Sequence, residues 1–300
     1  MLRRVSTVCL SLLFAGSLLA AADTASSAAQ LSAAEIVNRN VAARGGLQAW
    51  KNVQTLSFTG KMGAGGNRRS SLAGQNTAPV RGVAPERPAE EVQLPFVMDL
   101  KRTRKMRLEL RFNGQTALQV YDGTNGWKVR PFLNRNDVES YTPDELKTAA
   151  LQADLDGPLV DYVAKGTQIA LDGTEKIDGV ENYRLKLTMK NGQSFHLWVN
   201  SQTFLETKSE GQPRRLDGVM HPVEIYYLNY QAVNGLQIPF VLETRVLPVA
   251  KSSRVAAEPP TPAEKITIEK VAVNPKLDDA LFTKPQAQGP AAVRGAKVGR

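Results

Sequence analysis

The sequence predicts a mainly β chain with some α: one antiparallel sheet that curls strongly or closes, with helices over its dry face. Three observations carry this. From residue 52 onward apolar and polar residues alternate with a period of two, five Asn-Gly or Asp-Gly pairs separate the alternating runs, and helical spacing occurs in only two segments. Such alternation marks strands that are apolar on one face and wet on the other. The Asn/Asp-Gly pairs tolerate the positive φ angles of tight hairpin turns. About ten strands joined this way are too many for a flat open sheet.

The first helical segment is "SAAEIVNRNVAARGG". Ser32 and Glu35 form a capping box, Ile36, Val37 and Val41 make the apolar stripe, and Gly45-Gly46 is a stop signal. The second, "TPDELKTAALQADLDGPLVDYV", starts with Thr142 as cap, Pro143 at the first helical position and Glu145 completing another capping box. Leu146, Ala150, Leu151, Leu159 and Val163 supply its apolar faces, with a break or bend at Gly157-Pro158.

Among the strands, "KMRLELRF" sets Met106, Leu108, Leu110 and Phe112 against Lys105, Arg107, Glu109 and Arg111. "NYRLKLTMK" does the same with Tyr183, Leu185, Leu187 and Met189, and Phe195, Leu197 and Val199 share a face in the next run. Leu236, Ile238, Phe240 and Leu242 form a further apolar face. The turns fall at Asn113-Gly114, Asn125-Gly126, Asp178-Gly179, Asn191-Gly192 and Asn234-Gly235.

Residues 1–22 read as a signal peptide cleaved near Ala22: Arg3 and Arg4, then "VCLSLLFAGSLLA", then small residues. The apolar run is too short for a stable membrane span. Cys9, the only cysteine, lies inside this segment, so the exported chain is expected to be cysteine-free, which suits a periplasm. Cleavage takes two arginines and no acid from a formal charge of +9, leaving +7. Residues 23–285 read as a single domain carrying flexible Gly/Pro/Ser-rich insertions at 63–91 and 248–263, and 286–300 as a disordered basic tail.

The chemistry-bearing signals are sparse. There is no P-loop, nucleophile elbow or dinucleotide fingerprint. His196 and His221 lack metal-ligand spacing and read as surface or loop histidines. Asp154 and Asp156, like Asp278 and Asp279, read as capping or solvated acids and not as a catalytic pair. The expectation is a protein that is not an enzyme, with no catalytic residue, no metal, no cofactor and no nucleic-acid partner. The basic run Lys101, Arg102, Arg104, Lys105, Arg107, Arg111 is either a solvated outer face or a contact patch for lipid headgroups or an acidic partner. In "YDGTNGWKVRPF", Trp127 and Phe132 flank Arg130 just past a turn. Trp127 is either a core indole or part of a groove mouth, with Arg130 near an anionic headgroup.

The stretches "AEIVNRNVAARGGLQAW", "YDGTNGWKVRPF" and "ITIEKVAVNPKLDDALFTKP" resemble bacterial envelope proteins of the LolA/LolB-like superfamily, nearest to chains described as outer-membrane lipoprotein-sorting proteins. The resemblance implies a strongly curved antiparallel sheet, an unclosed β-barrel lidded by helices, with an apolar concave face. It implies a non-catalytic periplasmic carrier or binder of lipid or lipoprotein acyl chains, meeting envelope membrane or lipoprotein partners, and here expected to be a monomer. The residues expected to line the groove are Met106, Leu108, Leu110, Phe112, Leu118, Val120, Trp127, Phe132, Leu185, Leu187, Phe195 and Leu197. Arg104, Arg107 and Arg130 are the expected headgroup or partner contacts. The alternative is an envelope protein-interaction module whose core is filled and takes no ligand.

Overall fold

The computed structural model describes residues 31–64, 92–131, 135–216, 218–249 and 262–286. The expected signal peptide, most of both insertions, Phe132 and nearly all of the basic tail lie outside the described residues. In chain order, α1 (Ala33–Ala43) and α2 (Leu47–Asn52) lead into β1 (Thr55–Ala64). There follow β2 (Val92–Lys101), β3 (Lys105–Phe112), β4 (Gln115–Tyr121), β5 (Gly126–Arg130), β6 (Arg135–Ser140) and α3 (Pro143–Gln152). The second half holds β7 (Gln168–Ile177), β8 (Val180–Thr188), β9 (Ser194–Asn200) and β10 (Glu206–Leu216). It continues with β11 (Val219–Val233), β12 (Leu236–Val246), β13 (Glu264–Val273) and a 3₁₀ turn at Asp279–Phe282.

All thirteen strands join one antiparallel sheet in the order β6-β5-β4-β3-β2-β1-β13-β12-β11-β10-β9-β8-β7. The chain steps outward from β1 to β6, crosses by α3 to the far edge, and steps back from β7 to β13, which pairs with β1. No ladder joins β6 to β7 among the described residues, so the barrel is unclosed. Register shifts bend the strands at Thr59/Gly60, Lys128/Arg130, Leu171/Thr174, Glu206/Lys208 and Gly211/Arg214.

The strand count exceeds the expected ten. The excess comes from segments whose composition hides the alternation, above all β10, "ETKSEGQPRRL", with Gly, Pro and five charges. Tertiary pairing overrides such weak local propensity. His221 is corrected in the same region: it lies within β11, is 4% exposed, and its ring Nδ1 is 2.9 Å from the Leu247 carbonyl oxygen.

Both expected capping boxes are present, at Ser32/Glu35 and Thr142/Glu145. Gly45 and Gly46 end α1 with φ of 113° and 93°, and the chain then turns at once into α2, a helix without a long enough apolar period to be visible in the sequence. The segment after α3 departs from expectation. It becomes a series of turns after Ala153, burying Leu159 fully and leaving Val163 71% exposed.

Three of the five Asn/Asp-Gly pairs have both residues at positive φ: Asn113-Gly114, Asp178-Gly179 and Asn234-Gly235. Asn125-Gly126 does not. That turn forms one step earlier, with Gly123 at φ 105° and the Asp122 carboxylate accepting from the Thr124 and Asn125 amides at 2.8 and 2.6 Å. Gly126 is instead the first residue of β5, and the Tyr141 ring occupies the space its side chain would need.

On the outer face, Lys208 is 5% exposed beneath the Trp198 ring, with Glu175 at 3.0 Å and Glu224 at 2.8 Å. Burial opposes the charge on both Lys208 and Glu224, yet their mutual hydrogen bond prevails: the lysine pKa is raised and the glutamate pKa lowered. Glu224 therefore contributes stability that is complete above its unfolded pKa, about 4.3, and is lost as pH falls through its lower folded value. Lys208 contributes fully below about pH 10.4, and its share is lost as pH rises through its higher folded value. Thermal unfolding followed from pH 3 to 11 is expected to show a plateau between these limits. Glu224→Gln should lower the plateau by about 1–3 kcal/mol and flatten the acid limb, and an unchanged acid limb would refute the assignment.

Candidate functional site

The sheet has an inner face, against which the helices lie, and an outer one. Register sets the inner rows. One runs Val273, Leu56, Leu100, Met106, Tyr121, and the next Val271, Phe58, Met98, Leu108. A third runs Ile268, Gly60, Phe96, Leu110, Ala117, and a fourth Leu242, Ile266, Met62, Leu94. Trp50 and Val53, with Ala149, Ala153, Leu155 and Val160 from α3 and the turns after it, join this face in one apolar cluster.

Burial is graded along the hollow. Leu56, Leu100 and Met106, nearest the helices, are 1%, 5% and 1% exposed. Met62, Leu94, Leu110, Leu242 and Ile266, toward the other end of the strands, are only partly buried. The hollow is thus closed by the protein's own side chains at one end and retains an apolar strip, incompletely covered, at the other.

The cover is fastened by a polar clamp. Arg102 donates from both terminal nitrogens to the Asp156 carboxylate at 2.8 Å, and from Nε and Nη2 to the Val53 and Trp50 carbonyls at 2.6 and 2.5 Å. Arg44 donates to the Asp156 carbonyl at 2.9 Å, lies 4.4 Å over the Trp50 ring and pairs with Glu206 at 3.3 Å. Lys165 holds both oxygens of Asp154 and the Gly157 carbonyl. One arginine thus ties the α2 end, the β2–β3 turn and the post-α3 segment together. The geometry is that of bidentate guanidinium–carboxylate recognition. Neither Arg44 nor Arg102 stood out in the sequence, where Arg102 was one of six cations and Asp156 one of two nearby acids. Only the fold brings them together.

The expected groove residues fall into two sets. Met106, Leu108, Leu110 and Phe112 are on the inner face of β3. Leu185, Leu187, Phe195 and Leu197 carry the same face round to β8 and β9 through the pairs Leu197–Ser209–Ile225. Leu185, Leu187 and Leu197 are at most 2% exposed, so they are core. Leu118, Val120 and Trp127 are on the opposite face, because Leu118 pairs with Glu109, Val120 with Arg107, and Trp127 with Val120. Trp127 lines an outer cleft of about 460 Å³ with Phe282, Lys105 and Asp279, away from the hollow. Placing all of these residues in one groove is thus corrected: β4 is apolar on both faces, and Leu118 and Val120 are buried on its outer one.

The basic run is also reassigned. Lys101 and Lys105 hold Asp279 at 3.2 and 2.8 Å, and Arg107 pairs with Glu109 and donates to the Leu281 carbonyl. These cations fasten the C-terminal segment, and the two lysines hold the Asp279 pKa down. Arg130 points to the inner side and pairs with Glu139 at 2.6 Å. Arg104, in the β2–β3 turn at φ 63°, remains exposed. His196 sits between Asp172 and Glu210 at 3.1 and 3.0 Å on the outer face.

A curved, unclosed antiparallel barrel with an apolar inner face and a clamped helical cover defines a class of fold, the helix-lidded open β-barrel. No family model matches the chain, and no curated protein matches it. Among solved structures it is similar to a LolA superfamily protein from Nitrosomonas europaea at 14% identity and a TM-score of 0.52, covering 85% of this chain and 99% of that one. It is also similar to a DUF1329 family protein from Desulfovibrio piger at 14% identity and a TM-score of 0.51, covering 84% and 98%. The likeness is one of fold, and it agrees with the architecture that the three sequence stretches imply.

Proposed function

We propose that this protein is a non-catalytic envelope carrier or binder that takes a lipid or lipoprotein acyl chain into the hollow of its sheet. The observation that supports this best is the strip Met62, Leu94, Leu110, Leu242 and Ile266, apolar side chains on the concave face left partly exposed in a fold otherwise closed by its helices. Each CH₂ withdrawn from water is worth about 0.8 kcal/mol, so an acyl chain needs a dry lining and few polar contacts. The sequence of residues 1–22 supports export to the periplasm.

Native mass spectrometry of the purified protein with lipid extraction tests the reading, together with displacement of a fluorescent fatty acid. Bound lipid is expected, and Leu110→Gln with Leu242→Gln should weaken probe binding about tenfold. The packing of Trp50, Val53, Leu155 and Val160 into the hollow favours a second reading, a filled-core interaction module. A protein that carries no lipid and ignores the probe, while still unfolding cooperatively, would establish the second in place of the first.

A further inference from the structure

A cleft of about 280 Å³ opens beside α3, and its walls come from segments far apart in the sheet order. Arg104 of the β2–β3 turn with Lys147, Ala150 and Leu151 of α3 form one side, and Met189 and Lys190 of the β8–β9 turn form the other. The β3 side belongs to the half that ends at edge strand β6, and the β8 side adjoins edge strand β7. The cleft therefore bridges the open side of the barrel.

Its charge is one-sided. Four cations line it, Arg104, Lys147, Lys165 and Lys190, against a single carboxylate, Asp154. That carboxylate is already held through both oxygens by Lys165. Lys147 has only Asp144, whose side chain is 91% exposed, and such solvated pairs contribute little. No carboxylate among the described residues pairs with Arg104 or Lys190. Ala150, Leu151 and Met189 meanwhile make the floor apolar. Cations around a greasy floor match an anionic head joined to a hydrocarbon tail. The volume lies just under the range of about 300–1,000 Å³ that encloses a drug-sized molecule, so it fits a head and its first carbons and not a whole lipid.

We infer that this cleft is the headgroup site for a phosphate-bearing amphiphile, with Arg104 and Lys190 as the recognising cations and the chain directed along α3. The inference deepens the carrier reading and rests on it. A phosphate is favoured over a carboxylate by the number of convergent cations, since each phosphate offers several acceptor oxygens to separate donors.

The test uses protein purified from cells expressing the full chain, titrated calorimetrically with dodecyl phosphate and, separately, with dodecyl maltoside. Arg104→Gln combined with Lys190→Gln changes only exposed side chains. It is expected to weaken dodecyl phosphate binding about tenfold while leaving dodecyl maltoside binding unchanged. The dodecyl phosphate affinity of the wild type should also fall as salt rises. If the variant binds dodecyl phosphate as tightly as the wild type does, the headgroup assignment is wrong although the carrier reading stands. If neither amphiphile binds the wild type, the carrier reading itself fails. If inorganic phosphate displaces dodecyl phosphate at equal concentration, the cleft is a free-phosphate site and the amphiphile is excluded.

Discussion

Arg102→Met is expected to lower the stability of the protein by about 2–4 kcal/mol and to loosen the helical cover while leaving the sheet intact. The size follows from what the side chain holds. Removing one partner of a buried ion pair costs about 3–5 kcal/mol, because the other charge stays buried without compensation. Asp156 is only 6% exposed, but Arg102 is 31% exposed, which moves the estimate to the lower part of that range. The Trp50 and Val53 carbonyls lose their side-chain donor as well. Lys165, 4.0 Å from Asp156 and already holding Asp154, compensates weakly. Hydrogen exchange is the informative measurement. Amides of α2 and of residues 147–165 should exchange faster, and those of β1, β2 and β13 should keep their protection. Uniform loss of protection would show that the arginine supports the whole fold and not its cover.

The same substitution separates the two functional readings. If an acyl chain enters the hollow only when the cover lifts, its apparent affinity is reduced by the fraction of molecules with the cover open. Weakening the clamp by about 2 kcal/mol raises that fraction by up to about thirtyfold, so a destabilising mutation should improve binding of a fatty-acid probe. A filled-core module predicts no such gain. The double substitution Arg102→Met with Asp156→Leu removes both charges and should recover much of the stability, since an apolar pair of similar volume often replaces a buried ion pair without loss. It should also retain part of the gain in probe binding.

The architecture was legible because it depends on local rules. Period-two alternation in β3, β8, β9 and β12 is written in their residues, as are both capping boxes and three of the hairpin turns. The strands that alternation does not reveal are those stabilised by what lies across from them. Glu206 and Lys208 are buried in β10 because Arg44, Tyr230, Glu175 and Glu224 converge on them from other elements. The site was less legible for the same reason. Alternation assigns each strand two faces but does not say which of them looks inward. For β4 both faces are apolar, since the inner side carries Ala117 and Tyr121 and the outer side carries Leu118 and Val120, all of them buried. Nor does composition separate the cations of one hairpin. Arg102 turns in to clamp the cover, Lys101, Lys105 and Arg107 hold the C-terminal segment, and Arg104 projects into the cleft beside α3.

Gly60→Val is expected to be the most damaging single change in the sheet, costing upward of about 4 kcal/mol and preventing accumulation of folded protein. Gly60 sits at the register shift where β1 passes from pairing with Lys270 to pairing with Ile268 of β13, the seam between the first and last strands. Its backbone conformation is not a left-handed one, so the requirement for glycine is spatial. A Cβ there would overlap the Thr267 carbonyl oxygen and stand 2.9 Å from the Ile268 Cα and 3.0 Å from the Phe96 ring. Two of those neighbours are backbone atoms of a paired strand, which cannot move aside without breaking the ladder. Gly60→Ala should already cost about 2–3 kcal/mol, read as a shift in denaturant midpoint at unchanged slope. Phe96→Leu cannot rescue it, because the ring is the farthest of the three obstacles; a rescue would mean that Phe96, and not the β13 backbone, sets the limit. The close approach at Gly60 lets Phe58, Phe96, Ile268 and Phe240 meet on the inner face, so the bend that shapes the hollow depends on a residue with no side chain to place in it.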